Sequence, residues 1–192
     1  MYPTTEVRWF VPGPVPDEAQ LWFEGLGWPV EMAERTDRYL VPASADEPGI
    51  KLREGLIEVK ARTAVLGVEH LAPSVDGVSE TFRKWSFPLA EAPPTPSAGW
   101  IDVAKTRRLR TYTQEIADAA EGPEIGCSVE LGEVRLGDGV WWTVCLEAFG
   151  SDEAARLNII RKTAKRVFYT ITITLDLTQS VGYVGWLVRS ME

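Results

Sequence analysis

Residues 49–63 read GIKLREGLIEVKART, a stretch that combines strand-like alternation with many charges. Successive side chains of a strand point to opposite faces. Glu54-Gly55 suits a two-residue turn, because glycine readily adopts the positive φ that such turns need. The stretch therefore predicts a hairpin in which Lys51 lies opposite Glu58. The charged face of this hairpin carries Lys51, Arg53, Glu58, Lys60 and Arg62.

Two architectures explain a hairpin with one charged face. An open sheet would expose that face to water. A barrel would instead turn the face inward, where the basic side chains would hold an anion. Neither architecture follows from the hairpin alone.

The other segments predict a largely antiparallel α+β domain. Residues 17–27 and 152–168 carry helix signals, with acidic residues in the first turn and Ser151 as a cap for the second helix. Residues 64–78 are predicted as a loop and the proline-rich residues 91–99 as a surface connector. Strands are predicted at 6–11, 37–43, 79–89, 100–116 and, as a hairpin turning at Asp138-Gly139, 127–150.

Basic residues concentrate in the middle of an acidic protein. The chain carries 20 Lys or Arg against 28 Asp or Glu, a net charge of −8, whereas residues 51–110 carry ten against seven. Lys105 and Arg107 share one face of the 100–116 strand, and Arg108 and Arg110 take the other. The net charge argues against nucleic-acid binding. The local excess favours a site for a small anion, although chance fluctuation along the chain explains it equally well.

Two acidic residues meet in the predicted hairpin at 127–150. With its turn at Asp138-Gly139, Glu130 lies directly opposite Glu147. Like charges that face each other destabilise a sheet. The pair therefore requires solvent, a bound cation or an intervening basic side chain.

The composition is that of one globular domain over residues 1–192. No apolar run reaches the ~20 residues of a membrane span, and MYPTTEVRWF lacks the basic start and apolar core of a signal peptide. Cys127 and Cys145 lack the spacing of a metal site. We expect a cytoplasmic protein with neither a membrane nor a nucleic-acid partner. The oligomeric state does not follow from the sequence.

Several segments, taken in order, resemble the CYTH superfamily, also called triphosphate tunnel metalloenzymes. RTDRYL resembles the family's Asp-x-Tyr segment, IKLREGLIEVKAR its basic strand pair, RKWSF its next strand and VAKTRR its Lys-x-Arg strand. ELGEVRLGDGVWWTVCLEA resembles the acidic hairpin, and SVGYVGWL the Ser-Tyr-x-x-Leu ending. The ordered set, rather than any single piece, carries the resemblance, which spans most of the chain.

The resemblance implies an α+β fold built on an antiparallel eight-stranded β-barrel, closed or nearly closed, with flanking helices. Its interior would bind a small-molecule polyphosphate or an organic triphosphate. Mg²⁺ or Mn²⁺ would be held by Glu6, Glu130 and Glu147, with Glu58 as a weaker candidate. A metal-bound water would be the nucleophile, since no catalytic side chain is evident. The phosphates would be held by Arg8, Lys51, Arg53, Lys60, Arg62, Lys105 and Arg107.

The first strand and the acidic hairpin depart from the family pattern. Where the family has Glu-x-Glu-x-Lys, this chain has Glu6, Arg8 and Phe10, and Gly132 and Cys145 stand where carboxylates are expected. Two functions stay open: a metal-dependent triphosphatase, and a non-catalytic module that binds a phosphate ligand after losing part of the metal site. A charged sheet face that is merely solvated is the third alternative.

Overall fold

The structure, a computed structural model, describes residues 2–27, 29–44, 46–89, 99–114 and 125–191. Helices α1 to α3 are Asp17–Glu24, Glu153–Val167 and Tyr183–Met191, and a short 3₁₀ turn spans Leu177–Gln179. Strands β1 to β8 are Tyr2–Pro12, Glu31–Leu40, Gly49–Arg53, Leu56–Ala72, Val75–Pro88, Trp100–Gln114, Ile125–Leu136 and Gly139–Phe149. The strands close into an antiparallel barrel in the order β1-β5-β4-β3-β2-β6-β7-β8. The predicted fold class is confirmed.

The hairpin of β3 and β4 has the predicted turn and register. Arg53 pairs with Leu56 and Lys51 with Glu58. Glu54 and Gly55 have φ values of 47° and 77°, and positive φ at both central residues is the requirement of a type I′ turn. The charged side chains of residues 49–63 therefore share one face, as predicted.

The hairpin of β7 and β8 turns one residue earlier than predicted. Leu136 pairs with Gly139, so the turn is Gly137-Asp138, with Gly137 at φ 56°. Gly139 is needed for a different reason, because a Cβ at this position would collide with the indole ring of Trp141. The sequence Gly-Asp-Gly offers a glycine to either turn, and the structure uses the first of them, Gly137.

This turn shifts the predicted pairing of the acidic residues. Glu130 pairs with Cys145, and Glu147 pairs with Ser128. The predicted direct opposition of Glu130 and Glu147 is therefore wrong. Because the shift is two residues, both carboxylates keep the same face of the sheet.

Residues 64–78 are strand, and the predicted loop there is wrong. β4 continues to Ala72 and β5 begins at Val75, with register shifts between Arg62 and Ala64, between Val65 and Gly67, and between His70 and Ala72. Such bulges interrupt the alternation of side chains, so the period of two does not appear in the sequence. The predicted connector at 91–99 lies outside the described residues except for Gly99.

Helix α2 begins at Glu153, one residue later than predicted. The carboxylate of Asp152 accepts a hydrogen bond from the backbone N–H of Ala155 at 2.6 Å. Asp152 rather than Ser151 is therefore the N-cap, in keeping with the preference for aspartate at this position.

The hydrophobic core lies in two places. One cluster fills the space between the outer faces of the strands and helices α1 and α2, and includes Trp9, Leu146 and Ile160. The other lies inside one end of the barrel, where Trp186 and Leu187 of α3 pack on interior side chains. Burying the apolar surface in this way leaves the rest of the interior to polar residues.

Candidate functional site

Aromatic rings fill the end of the barrel that α3 covers. Phe10 of β1 stacks on Trp186 with the ring centroids 4.7 Å apart. Tyr39 of β2 stacks on Tyr183 with the centroids 5.2 Å apart. The interior is therefore apolar at this end of the barrel.

A cavity of about 160 Å³ occupies the charged part of the interior, next to Tyr39 and Tyr183. Every strand of the barrel contributes a charged side chain to its wall. The acidic ones are Glu6, Glu58, Glu130 and Glu147. The basic ones are Arg8, Arg35, Lys51, Arg53, Lys60, Lys84, Lys105 and Arg107. Eight basic side chains against four carboxylates make the wall formally positive, which favours an anion inside.

Six of the seven basic residues predicted to bind phosphate line this cavity, and Arg62 does not. Its guanidinium donates to Glu80 at 2.7 Å and pairs with Asp46. Arg108 and Arg110 lie on the outer face, as the alternation predicts. Arg108 donates to Gln20 of α1, and Arg110 lies over the ring of Phe23.

Arg8 lies among the carboxylates that were predicted to bind metal. Its Nη1 donates to Glu130 Oε1 at 2.7 Å and to Thr143 Oγ1 at 3.1 Å, and its Nε lies 4.0 Å from Glu6 Oε1. Burial alone would raise the pKa of Glu130, but the charge of Arg8 and its hydrogen bond lower it below the ordinary value. Glu130 is therefore an ionised carboxylate with a protein cation as its counter-charge.

Lys60 is the counter-charge of the other two carboxylates, Glu6 and Glu147. Its Nζ donates to Glu6 Oε2 at 2.6 Å and lies 3.6 Å from Glu147 Oε1. Burial opposes the charge of Lys60, yet Glu6 and Glu147 raise its pKa above the ordinary value. The ammonium group of Lys60 is therefore charged at neutral pH.

The residues present do not fit the divalent ion that the resemblance implies. Mg²⁺ requires oxygen ligands directed at one point in near-octahedral geometry. Here Glu6 and Glu130 both turn an oxygen toward a protein cation, either Lys60 or Arg8. The described residues contain no group of three or more His, Cys, Asp or Glu side chains arranged to hold a metal. Arg8 and Lys60 supply the positive charge that a metal would otherwise bring.

Asp37 organises the wall formed by β2, β3 and β6. Its fully buried carboxylate forms ion pairs with three basic side chains. The N···O distances are 3.0 Å to Arg35 Nε, 3.0 Å to Lys51 Nζ and 2.9 Å to Lys105 Nζ. Burial raises the pKa of Asp37, but Lys105 and Lys51 lower it well below its usual range. One ionised carboxylate thus positions three cations.

The remaining cations lie nearer to solvent. The side chains of Arg53, Lys84 and Arg107 are 27%, 40% and 31% exposed. Lys84 pairs with Glu58 at 2.9 Å, and Arg107 lies 3.7 Å from Glu130. The buried Nε of Arg107 has no hydrogen-bond partner among the described residues. These three side chains keep hydrogen-bonding capacity for a ligand.

The structure adds three charged residues that the sequence analysis did not assign to the site: Arg35, Asp37 and Lys84. Arg35 and Asp37 could have been predicted from the sequence, because alternation along RTDRYL places positions 35, 37 and 39 on one face. Lys84 was not, because the face of β5 is known only once its pairing with β1 and β4 is known.

The sequence matches no family model, and no curated protein is significantly similar to it. The relation to the CYTH superfamily is therefore a proposal that depends on the quoted motifs.

None of the helices in the described part of the chain combines the length and the apolar character needed to cross a membrane.

Proposed function

We propose that this protein is a divergent CYTH-like protein that binds a small polyanion, a polyphosphate or an organic triphosphate, inside its barrel without a divalent metal. The observation that carries the proposal is the cavity wall, on which eight basic side chains outnumber the four carboxylates that line the cavity and the buried Asp37. The closed eight-stranded barrel also supports it, because the resemblance implies that architecture.

A linear polyphosphate suits this wall chemically. It carries several negative charges in a small volume, and its oxygens accept hydrogen bonds from the planar fork of arginine and from lysine. Interactions of this kind are stronger where water is excluded. Lys51 and Arg53 of β3 and Lys105 and Arg107 of β6 can therefore engage successive phosphoryl groups.

The metal requirement of a triphosphatase is replaced here by protein charge. A metal neutralises the ligand and holds it against carboxylates. Arg8 and Lys60 instead neutralise the carboxylates directly, at 2.7 and 2.6 Å. Binding that needs no metal follows from this arrangement, and it favours the non-catalytic module over the hydrolase.

Titration calorimetry with inorganic tripolyphosphate tests the proposal. We expect the same affinity in EDTA and in Mg²⁺ or Mn²⁺ at equal free tripolyphosphate, without release of phosphate. Metal-dependent release of phosphate would instead identify the hydrolase. Absence of binding under all three conditions would leave only a charged, solvated interior.

Arg53→Ala is expected to weaken the binding of tripolyphosphate about tenfold to a hundredfold, the range for loss of a charged hydrogen bond. Arg38→Ala is the matched control, because Arg38 pairs with Asp102 on the outer face of the barrel. Its affinity should equal that of the wild type. If Arg53→Ala bound tripolyphosphate as tightly as Arg38→Ala, Arg53 would not belong to the binding site.

A further inference from the structure

On one wall of the cavity, two buried carboxylates form ion pairs with four basic side chains. Asp37 pairs with Arg35, Lys51 and Lys105. Glu58 forms ion pairs with Lys51 and Lys84, in both cases with an N···O distance of 2.9 Å. Excess positive charge that is withdrawn from water is costly unless an anion accompanies it. The three basic side chains at Asp37 are at most 15% exposed, so a bound anion would compensate the positive charge that Asp37 alone does not balance.

Lys105 is the most enclosed of these cations. Its side chain is 9% exposed, its Nζ lies 2.5 Å from Tyr39 Oη, and the centroid of the Tyr183 ring is 3.9 Å away. The hydroxyl of Tyr183, which also lines the cavity, is buried and lacks a hydrogen-bond partner among the described residues. A polar ligand atom at this place would supply the hydrogen-bond partner that the Tyr183 hydroxyl lacks.

We propose that the cluster of Arg35, Lys51 and Lys105 around Asp37 is the subsite that binds one phosphoryl group of the ligand, and that Lys105 takes up a proton as the anion binds. This inference rests on the proposed function, since it places one part of the same ligand.

The proton uptake follows from the charges around Lys105. Burial, followed by the charge of Lys51, lowers the pKa of Lys105 to about 7, although Asp37 acts in the opposite direction. A phosphoryl group beside the amine adds negative charge and favours the protonated form. The groups that face or influence Lys105 are Arg35, Asp37 and Tyr39 of β2, Lys51 of β3, Tyr183 of α3 and Glu130 of β7.

The sign of the pH dependence is fixed by this shift. Below pH 6, Lys105 is already protonated in the free protein, so binding takes up no proton there. Near pH 8 it is mostly neutral in the free protein and charged in the complex, so binding takes up close to one proton. The affinity contributed by Lys105 is therefore full at low pH and falls about tenfold per pH unit above 7.

Calorimetry in two buffers with different ionisation enthalpies, Tris and HEPES, measures the protons taken up with inorganic tripolyphosphate at pH 8. We expect the wild type to take up close to one proton more than Lys105→Arg, whose guanidinium is always charged. Protons that belong to tripolyphosphate itself cancel in this difference. Lys162→Arg, on the exposed face of α2, is the matched control and should behave as the wild type.

The titration of Lys105 can also be followed directly in the wild-type protein, which does not depend on how well the arginine variant folds. We expect one lysine ¹³Cε resonance to titrate near pH 7 in the free protein and above pH 9 with tripolyphosphate bound. Equal proton uptake by wild type and Lys105→Arg, or lysines that all titrate above pH 9 in the free protein, would overturn this inference and leave the proposed function intact. Absence of binding to the wild type between pH 6 and 8 would overturn both.

Discussion

Arg8→Met is expected to lower the free energy of unfolding by about 3–5 kcal/mol, the usual cost of removing one partner of a buried ion pair. Arg8 donates to Glu130 at 2.7 Å, and the side chains are only 8% and 13% exposed. Without the guanidinium, Glu130 keeps only the more distant Arg107, at 3.7 Å, among the described cations paired with it. Urea denaturation followed by tryptophan fluorescence measures the loss.

A double-mutant cycle separates the ion pair from simple loss of packing. Arg8→Met combined with Glu130→Gln should be more stable than Arg8→Met alone, because no uncompensated charge is then buried near this position. Arg38→Met breaks the exposed pair with Asp102 and should cost less than about 1 kcal/mol. If Arg8→Met cost no more than Arg38→Met, Arg8 would not be the counter-charge of the acidic residues.

Arg8→Glu is expected to convert the interior into a metal site. The substitution removes the cation and brings a fourth carboxylate to Glu6, Glu130 and Glu147, the kind of oxygen ligand that Mn²⁺ and Mg²⁺ prefer. Without metal the four carboxylates repel one another, so the variant should be strongly destabilised. Mn²⁺ at about one hundred times its dissociation constant should raise the free energy of unfolding of this variant by about 2.7 kcal/mol.

Thermal unfolding in EDTA and in Mn²⁺ measures this gain. Arg8→Gln is the control, because it removes the cation without adding a ligand and should respond little to Mn²⁺. The wild type should unfold at the same temperature in both solutions. A wild-type protein stabilised by Mn²⁺ as much as Arg8→Glu would show that the natural interior already binds the metal.

The sequence was informative where structure depends on near neighbours. Alternation in residues 49–63, with glycine in the turn, predicted both the register of β3 with β4 and the shared face of their charges. The same rule separated Lys105 and Arg107 from Arg108 and Arg110. It failed at residues 64–78, because three bulges conceal the period of two.

The site itself was only partly predictable. Positions 35 and 37 follow the same alternation as position 39, so the sequence alone predicts that Arg35 and Asp37 share a face of β2 with Tyr39. Lys84 was not, because nothing local sets the face of β5. The turn at Gly137-Asp138 also could not be chosen locally, since Gly-Asp-Gly provides a glycine for a turn at either pair of residues.

By itself, the sequence determined which side chains share a face of each regular strand, because that depends only on the geometry of an extended backbone. Tertiary structure alone decided which charges meet. Arg8 lies beside Glu130, Lys60 beside Glu6, and Arg62 turns to Glu80 and away from the cavity. These pairs join different strands, Arg8 and Glu130 being 122 residues apart in the chain. Their distances are set by how the strands register around the closed barrel, and no local pattern encodes that closure.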